Sequence, residues 1–263
     1  HDRYAALGAL AARAPPSYLD PIAASEARVF SQNGEDGVLA HLFGRIGHGA
    51  GRFVEFGIQE GREGNAVLLA DVGGWEGLFA EANPDAFSGL RAKYRFHPRV
   101  RARRLAVTPE NLDSILRATG LFEDLDLLSI DVDGADYWIW RGTSARPRVV
   151  VIEHNAALGL EPLVEPYQPD RAWDGTDAFG ASLTALHRLG RAKGYALVYV
   201  ELAGVNAFFV REDLAQTAGL PIRAPEEVYR PPSFGLEGRR HPPGGYLAWV
   251  TVGDDGEPLP PAP

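Results

Sequence analysis

The sequence predicts an α/β fold built on a mostly parallel sheet, with helices on both faces and an antiparallel hairpin near its C-terminal end. Three observations carry this. Between residues 52 and 153, short apolar strands alternate with helical segments, and that alternation builds right-handed β-α-β units on a parallel sheet. The last of these strands, R-V-V-V-I-E (148–153), is apolar almost throughout, as strands covered on both faces are. Y-A-L-V-Y-V (195–200) and V-N-A-F-F-V (205–210) then lie either side of E-L-A-G, which reads as two strands joined by a short turn.

The elements follow in order. Residues 1–28 are Ala-rich and partly helical by composition, broken at A-P-P-S (14–17). Val38, Leu39, Leu42, Phe43 and Ile46 have helical spacing, with Ser31 or Asn33 as the N-cap. R-F-V-E-F (52–56) is a strand, followed by a glycine-rich turn and a helical N-A-V-L-L-A-D-V. G-L-F-A-E (77–81) is the second strand, and a helix starts at Pro84. V-R-A-R-R-L-A-V (100–107) is the third strand, with Thr108 and Pro109 as N-cap and first residue of the next helix. L-D-L-L-S-I-D (125–131) is the fourth strand, and A-D-Y-W-I-W-R a short helix. After a long loop (156–180), an amphipathic helix from Ser182 ends at Gly194. The stretch 218–263 is rich in Pro and Gly, with one strand-like piece at 245–252 and an end, G-D-D-G-E-P-L-P-P-A-P, that composition marks as disordered. This divides the chain into an N-terminal helical extension (1–30), a main domain (31–213) and a C-terminal arm or lid (214–263).

Composition narrows the function classes. The chain has 263 residues, no cysteine and a formal net charge of −9. Disulfides, thiolate metal sites and cysteine nucleophiles are therefore excluded. A broad phosphate-neutralising surface for nucleic acid is not expected at that charge. The basic run P-R-V-R-A-R-R-L (98–105) reads as the solvent face of a strand. No apolar run approaches the ~18 residues of a membrane span, and no secretory signal is recognisable, so a cytoplasmic location is the expectation. G-x-x-x-x-G-K-[ST] and G-x-S-x-G are both absent, which removes phosphate-loop nucleotidases and serine hydrolases.

Two motifs carry the chemistry of a cofactor site. The turn after the first strand reads V-E-F-G-I-Q-E-G-R-E-G-N, an E-x-G-x-x-x-G pattern with Phe56 where a dinucleotide site has its first glycine. Gly57 and Gly61 let a ligand approach the backbone at the carboxyl end of a strand. Glu55 beside them suits a small cationic cofactor, and S-adenosylmethionine (SAM) carries a sulfonium. The second strand ends in Glu81, followed by Ala82, where an acid accepts both ribose hydroxyls of an adenosine. Val107 closes the third strand, where an adenine would lie. The plainer readings are a glycine-rich turn and an acid at a helix start.

A second group lies at the ends of the fourth and fifth strands. S-I-D-V-D-G-A-D-Y (129–137) supplies Asp131 and Asp133, and I-E-H-N supplies Glu153 and His154. Asp131, Glu153 and His154 form an oxygen-rich set suited to Mg²⁺, Mn²⁺ or Ca²⁺, able to orient a substrate hydroxyl. Without an ion, His154 is the natural general base. The plainer readings keep Asp131 on the cofactor amine, Asp133 as a helix cap with Gly134, and Asp136 as a solvated first-turn acid.

S-Q-N-G-E-D-G (31–37), F-V-E-F-G (53–57), L-L-S-I-D-V-D-G-A-D-Y-W (127–138), V-V-V-I-E-H-N-A (150–157) and G-V-N-A-F-F-V-R (204–211) together resemble FkbM-like SAM-dependent methyltransferases, and within them a bacterial subgroup with the S-Q-N-G-E-D-G signature. The resemblance covers roughly residues 28–213. It implies a Rossmann-like class I methyltransferase sheet, SAM as methyl donor, and a small-molecule acceptor, a hydroxyl on a sugar or secondary metabolite. Taken with the residue readings above, the cofactor set is Glu55, Gly57, Gly61, Glu81, Ala82, Val107, Asp131 and Gln32, with Asp131, Asp133 and His154 at the reacting centre; metal-dependent relatives by fold place Mg²⁺ or another divalent ion between the ends of the fourth and fifth strands, here Asp131, Glu153 and His154. His154 stands where metal-dependent relatives by fold carry Asp or Asn. The 156–180 loop, with Tyr167, Trp173, Phe179, Asp170, Asp174 and Asp177, is an acceptor lid or a packed loop, and 219–244 a second lid or the arm of a homo-oligomer. A non-catalytic SAM-binding scaffold and a metal-dependent hydrolase on the same kind of sheet remain as alternatives.

Overall fold

The computed structural model describes residues 20–169, 171, 173–233, 240–245 and 247–260. The strands are β1 (Arg52–Phe56), β2 (Glu76–Glu81), β3 (Val100–Arg104), β4 (Leu127–Ile130), β5 (Val149–Glu153), β6 (Leu163–Val164), β7 (Tyr195–Val200), β8 (Asn206–Arg211) and β9 (Val250–Thr251). The helices are α1 (Glu35–Ile46), α2 (Val67–Asp71), α3 (Pro84–Tyr94), α4 (Leu112–Thr119), α5 (Asp136–Gly142), α6 (Leu183–Ala192), α7 (Glu212–Ala218) and α8 (Pro225–Val228). Seven strands form one mostly parallel sheet in the order β3-β2-β1-β4-β5-β8-β7, and β6 pairs with β9 in a small antiparallel sheet. This is a Rossmann-like α/β architecture, closed by the predicted antiparallel hairpin β7–β8.

The chain divides into two compact units. The first takes in the chain up to Val107, with Asp113–Ser129 and Ala145–Val150. In it β1 pairs in parallel with β2 on one side and β4 on the other, so that Val54 stands beside Leu78 and Leu128. Strands buried in this way need no polar alternation. Phe53, Phe79 and Tyr94 form a chain of rings with centroids 4.9 Å apart at each step. The outer strand β3 exposes Arg101, Arg103 and Arg104, and charge on an edge discourages pairing with another chain. It stops at Arg104, short of the predicted 107. Leu105 donates the last bond of this ladder to Glu81 O, 3.1 Å, where β2 itself ends.

Helix starts in this unit follow local chemistry. Asn83 caps α3, its Oδ1 accepting from the N–H of Asp85 and Ala86. The N-cap of α1 is Gly34, with no side-chain cap bond, in place of the predicted Ser31 or Asn33. Further along, α4 begins at Leu112 instead of Pro109. The Thr108 N–H donates to Asn111 Oδ1 at 2.9 Å, and that tight turn delays the helix.

The second unit takes in Thr108–Leu112, Ile130–Ser144 and the chain from Val151 onward. Trp140 packs on Phe209 and Tyr195, with centroids 4.8 and 5.8 Å apart. Ser182 caps α6 as predicted, accepting from Ala185 N–H at 3.1 Å. Of the strand-like piece 245–252, Val250–Thr251 pairs with β6 and Val252 bridges to Pro258, and Tyr246 lies outside the described residues. Residues 253–260, expected to be disordered, turn back instead. Leu259 N–H donates to Thr251 O, and the Tyr137 hydroxyl donates to Gly256 O at 2.7 Å. The expected N-terminal helix falls mostly on residues 1–19, outside the described residues. After them, Ala23–Ser25 forms a single 3-10 turn.

Candidate functional site

In the first unit, the turn leaving β1 is held from beneath by two buried acids. The backbone takes left-handed φ at Gly57 (72°), Gln59 (53°) and Gly61 (72°), which coils the turn at the strand end. Glu55 is 4% exposed. Its Oε1 accepts from Asn65 N–H (2.7 Å) and its Oε2 from Ala66 N–H (2.9 Å). Glu55 therefore braces the entry into α2. Burial pushes its carboxyl up to about 7, against those two hydrogen bonds and with help from the nearby Asp36 and Glu35. Glu81, at the end of β2, accepts from Gln59 N–H and from Asn83 N–H, both at 2.7 Å. One carboxylate thus ties the glycine turn to the start of α3. Its two oxygens retain acceptor capacity beyond these bonds, since an ionised carboxylate offers about four sites.

Of the other predicted cofactor residues in this unit, Gln32 and Ala82 are exposed and Val107 is half-buried. The S-Q-N-G-E-D-G stretch is folded around its own acids. Asp36 Oδ2 accepts from the N–H of Val29, Phe30 and Ser31, at 2.9, 2.6 and 2.7 Å. Glu35 Oε2 accepts from Asn33 and Gly34. Burial raises the Asp36 carboxyl above its ordinary value despite these bonds. Its Oδ1 is buried with no partner among the described residues.

In the second unit, the chain from Ile130 enters a strained turn. Asp133 has φ 55° and Gly134 φ 143° before α5 begins. Asp136, expected to be solvated, is buried at 1% exposure. It accepts from the N–H of Val132 and Gly134, both at 2.9 Å, and so shapes this turn. Burial pushes its carboxyl up to about 6. The turn's outward acids meet the end of β5: Asp131, Asp133 and Glu153 each offer a carboxylate oxygen, all within 4.8 Å of one another. Glu153 is held well above the usual carboxylate range, first by burial and then by Asp131, Asp136 and Asp133. Its Oε2 is shut off from solvent without a hydrogen-bond partner among the described residues.

His154 stands apart from that carboxylate group. It is 2% exposed, and neither ring nitrogen has a hydrogen-bond partner among the described residues. Burial lowers it to about 4, so the ring is neutral near pH 7. Its backbone N–H donates to Val205 O at 2.9 Å. Side chains of successive residues on an extended strand alternate in direction, which is why Glu153 and His154 part company. The carboxylates that the fold brings together are Asp131, Asp133 and Glu153, and His154 is not among them.

Sequence reasoning missed Glu165. It follows β6 and is 5% exposed. A Cβ on Gly134 would stand 2.3 Å from its Oε1, so Glu165 presses on the turn that carries Asp133. Trp138 Nε1 donates to Glu165 O at 2.9 Å. Burial pushes this carboxyl up to about 7, with Arg171 opposing the shift. Nothing in E-P-L-V-E-P-Y marks this acid among the loop's others.

The 156–180 loop is held by contacts within itself and to Asn155, Glu110, His241 and Gly244. Trp173 donates to Thr176 O at 2.7 Å, and Trp173 and Phe179 both pack edge-on against His241. Asn155 Nδ2 donates to Asp177 O and Phe179 O. Asp174 accepts from Thr176, and Asp177 Oδ1 from Gly244 N–H. Tyr167 donates to Glu110 Oε2 at 3.2 Å. Asp170 lies outside the described residues.

No protein family matches this chain, and no curated protein is detectably similar to it. Several solved structures are distantly similar to it. The N-terminal domain of EvdMO1 with S-adenosylhomocysteine (SAH) bound is 15% identical, with TM-score 0.44 over 80% of this chain and 94% of that one. The CMeT domain of the citrinin polyketide synthase is 14% identical, with TM-score 0.45 over 67% of this chain and 51% of that one. A SAM-dependent methyltransferase from Aquifex aeolicus is 8% identical, with TM-score 0.40 over 68% and 90%. Among the described residues, no helix is long and apolar enough to cross a membrane.

Proposed function

We propose that this protein is a SAM-dependent methyltransferase acting on a hydroxyl of a sugar or secondary metabolite, with a divalent cation assisting at the rim of the sheet. The observation that carries the reading is Glu81. A buried carboxylate at the end of β2 is hydrogen-bonded to the Gln59 N–H inside the coiled turn that leaves β1. An acid and an approachable backbone are thereby joined in one element, the arrangement an adenosine ribose and its neighbouring atoms require. The resemblance to FkbM-like enzymes through S-Q-N-G-E-D-G belongs to the same proposal.

The carboxylate group fits a hard divalent ion. Asp131, Asp133 and Glu153 supply oxygen only, and Glu153 Oε2 is buried without a hydrogen-bond donor among the described residues, a costly state that a cation relieves. These three residues would hold the ion. Bound there, it would lower the pKa of an acceptor hydroxyl. SAM, when bound, would supply the methyl group to the acceptor oxygen and depart as SAH with the carbon–sulfur electron pair, while a rim carboxylate would take the hydroxyl proton. Asp136 takes no direct part; it fixes the backbone that aims Asp131 and Asp133.

Two measurements test the two halves separately. Calorimetric titration should show SAH binding to the purified protein. Glu81→Gln should weaken that binding at least tenfold, with a circular dichroism spectrum like that of the parent. Equal affinity in parent and variant would remove the ribose assignment. Asp131→Asn should abolish Mn²⁺ binding followed by electron paramagnetic resonance while sparing SAH affinity to within about threefold. Retention of Mn²⁺ would remove the metal assignment and leave a metal-free transfer.

A further inference from the structure

The second unit holds a cavity of about 370 Å³ that the proposed chemistry does not use. Its walls include Leu202, Tyr229, Arg230, Ser233 and Arg240. Two arginines line this one cavity. Among the described residues, neither guanidinium meets a carboxylate. Arg230 is half-buried, and its Nε is shut off from solvent with no hydrogen-bond acceptor among them. An unmatched buried donor carries a free-energy cost that a ligand acceptor removes. A guanidinium offers five donors in a fork that matches the oxygens of a carboxylate or phosphate.

The cavity is built on the same segment that presents Glu153. Tyr229 donates its hydroxyl to Ala156 O at 2.9 Å, in the 3-10 turn Ala156–Leu158 that follows β5. Ser233 N–H donates to Ala203 O at 2.8 Å, in the β7–β8 turn. The same turn accepts the His154 N–H at Val205 O. Glu201 braces it, accepting from Val205 N–H and Asn206 N–H at 2.6 and 2.8 Å. Arg230 therefore sits on a segment, Tyr229–Ser233, that is hydrogen-bonded to the end of β5 and to the β7–β8 turn.

We propose that this cavity binds an oxyanion group, carboxylate or phosphate, of the methyl acceptor, with Arg230 and Arg240 as the residues that select for it. The proposal rests on the methyltransferase reading and narrows its acceptor to an anionic hydroxylated compound, such as a sugar acid or a sugar phosphate. The arginines act on acceptor binding and leave the cofactor alone.

The full chain is titrated calorimetrically with inorganic phosphate and, separately, with malonate, each with and without saturating SAH. At least one anion should bind saturably, and the tighter of the two identifies the group on the acceptor. Arg240→Gln, on an exposed residue, and Arg230→Gln should each weaken that binding at least tenfold and leave SAH affinity unchanged. Equal anion binding by parent and Arg240→Gln, or no saturable binding of either anion, overturns the proposal. Anion binding that depends on the arginines in a protein that does not bind SAH would uphold the cavity and refute the methyltransferase reading.

Discussion

Asp36→Ala is expected to cost the protein about 3–5 kcal/mol, a large share of the roughly 5–15 kcal/mol that holds a folded domain. One oxygen of this buried side chain accepts from three consecutive backbone N–H groups, Val29, Phe30 and Ser31. Alanine leaves all three without that acceptor. Ser31 is fully buried, so water cannot substitute there, whereas Val29 is 45% exposed and water recovers part of its loss. Asp36→Asn keeps one oxygen and should recover a substantial part of the stability. Urea unfolding of both variants measures this. An unfolding free energy for Asp36→Ala within about 0.5 kcal/mol of the parent would show that the turn does not depend on this carboxylate. The pair also separates the two roles open to S-Q-N-G-E-D-G. If Asp36→Asn folds normally and SAH affinity falls tenfold or more, the stretch contacts cofactor as well as capping α1.

Glu55→Gln should gain stability relative to the parent as the pH rises from about 4.5 to above 7. Burial raises the folded-state carboxyl to about 7, above its ordinary 4.5. The folded protein therefore keeps a proton that the unfolded chain releases, and the stabilisation this gives is complete below about 4.5 and lost as pH passes through about 7. At about 1.4 kcal/mol per pKa unit, the difference is roughly 3 kcal/mol for a side chain that is 4% exposed. The parent's own pH profile mixes signs. Asp136 and Glu165 are raised and act like Glu55, while His154, lowered to about 4 by burial, destabilises the protein as pH falls below its unfolded value. The difference between parent and variant cancels these other groups. Thermal unfolding of both proteins in EDTA, from pH 4.5 to 8, reads it directly. A melting-temperature difference that stays constant over that range would mean Glu55 is ionised throughout.

Apart from β6, α7 and α8, the sequence by itself determined the order of strands and helices and the identity of the acids at the strand ends. Those features are written in local patterns. Apolar runs such as Val149–Ile152 can only be buried, Asn83-Pro84 starts a helix by its own hydrogen bonds, and E-L-A-G between two apolar runs turns the chain back. Glu55, Glu81, Asp131 and Glu153 were legible for the same reason, because a polar residue ending a buried strand stands out against its neighbours.

Only the tertiary structure decided what those acids touch. Asp136 and Asp133 lie three residues apart in one turn, yet one is buried beneath the backbone and the other is exposed, because the left-handed φ at Asp133 and Gly134 sends them opposite ways. Glu153 joins Asp131 and Asp133, while His154, the next residue, turns into an apolar interior that leaves its ring neutral. Glu165 reaches Gly134 from 31 positions away in the chain. Contacts of that range depend on how packed elements bring distant backbone together, and burial then sets the charge each group carries.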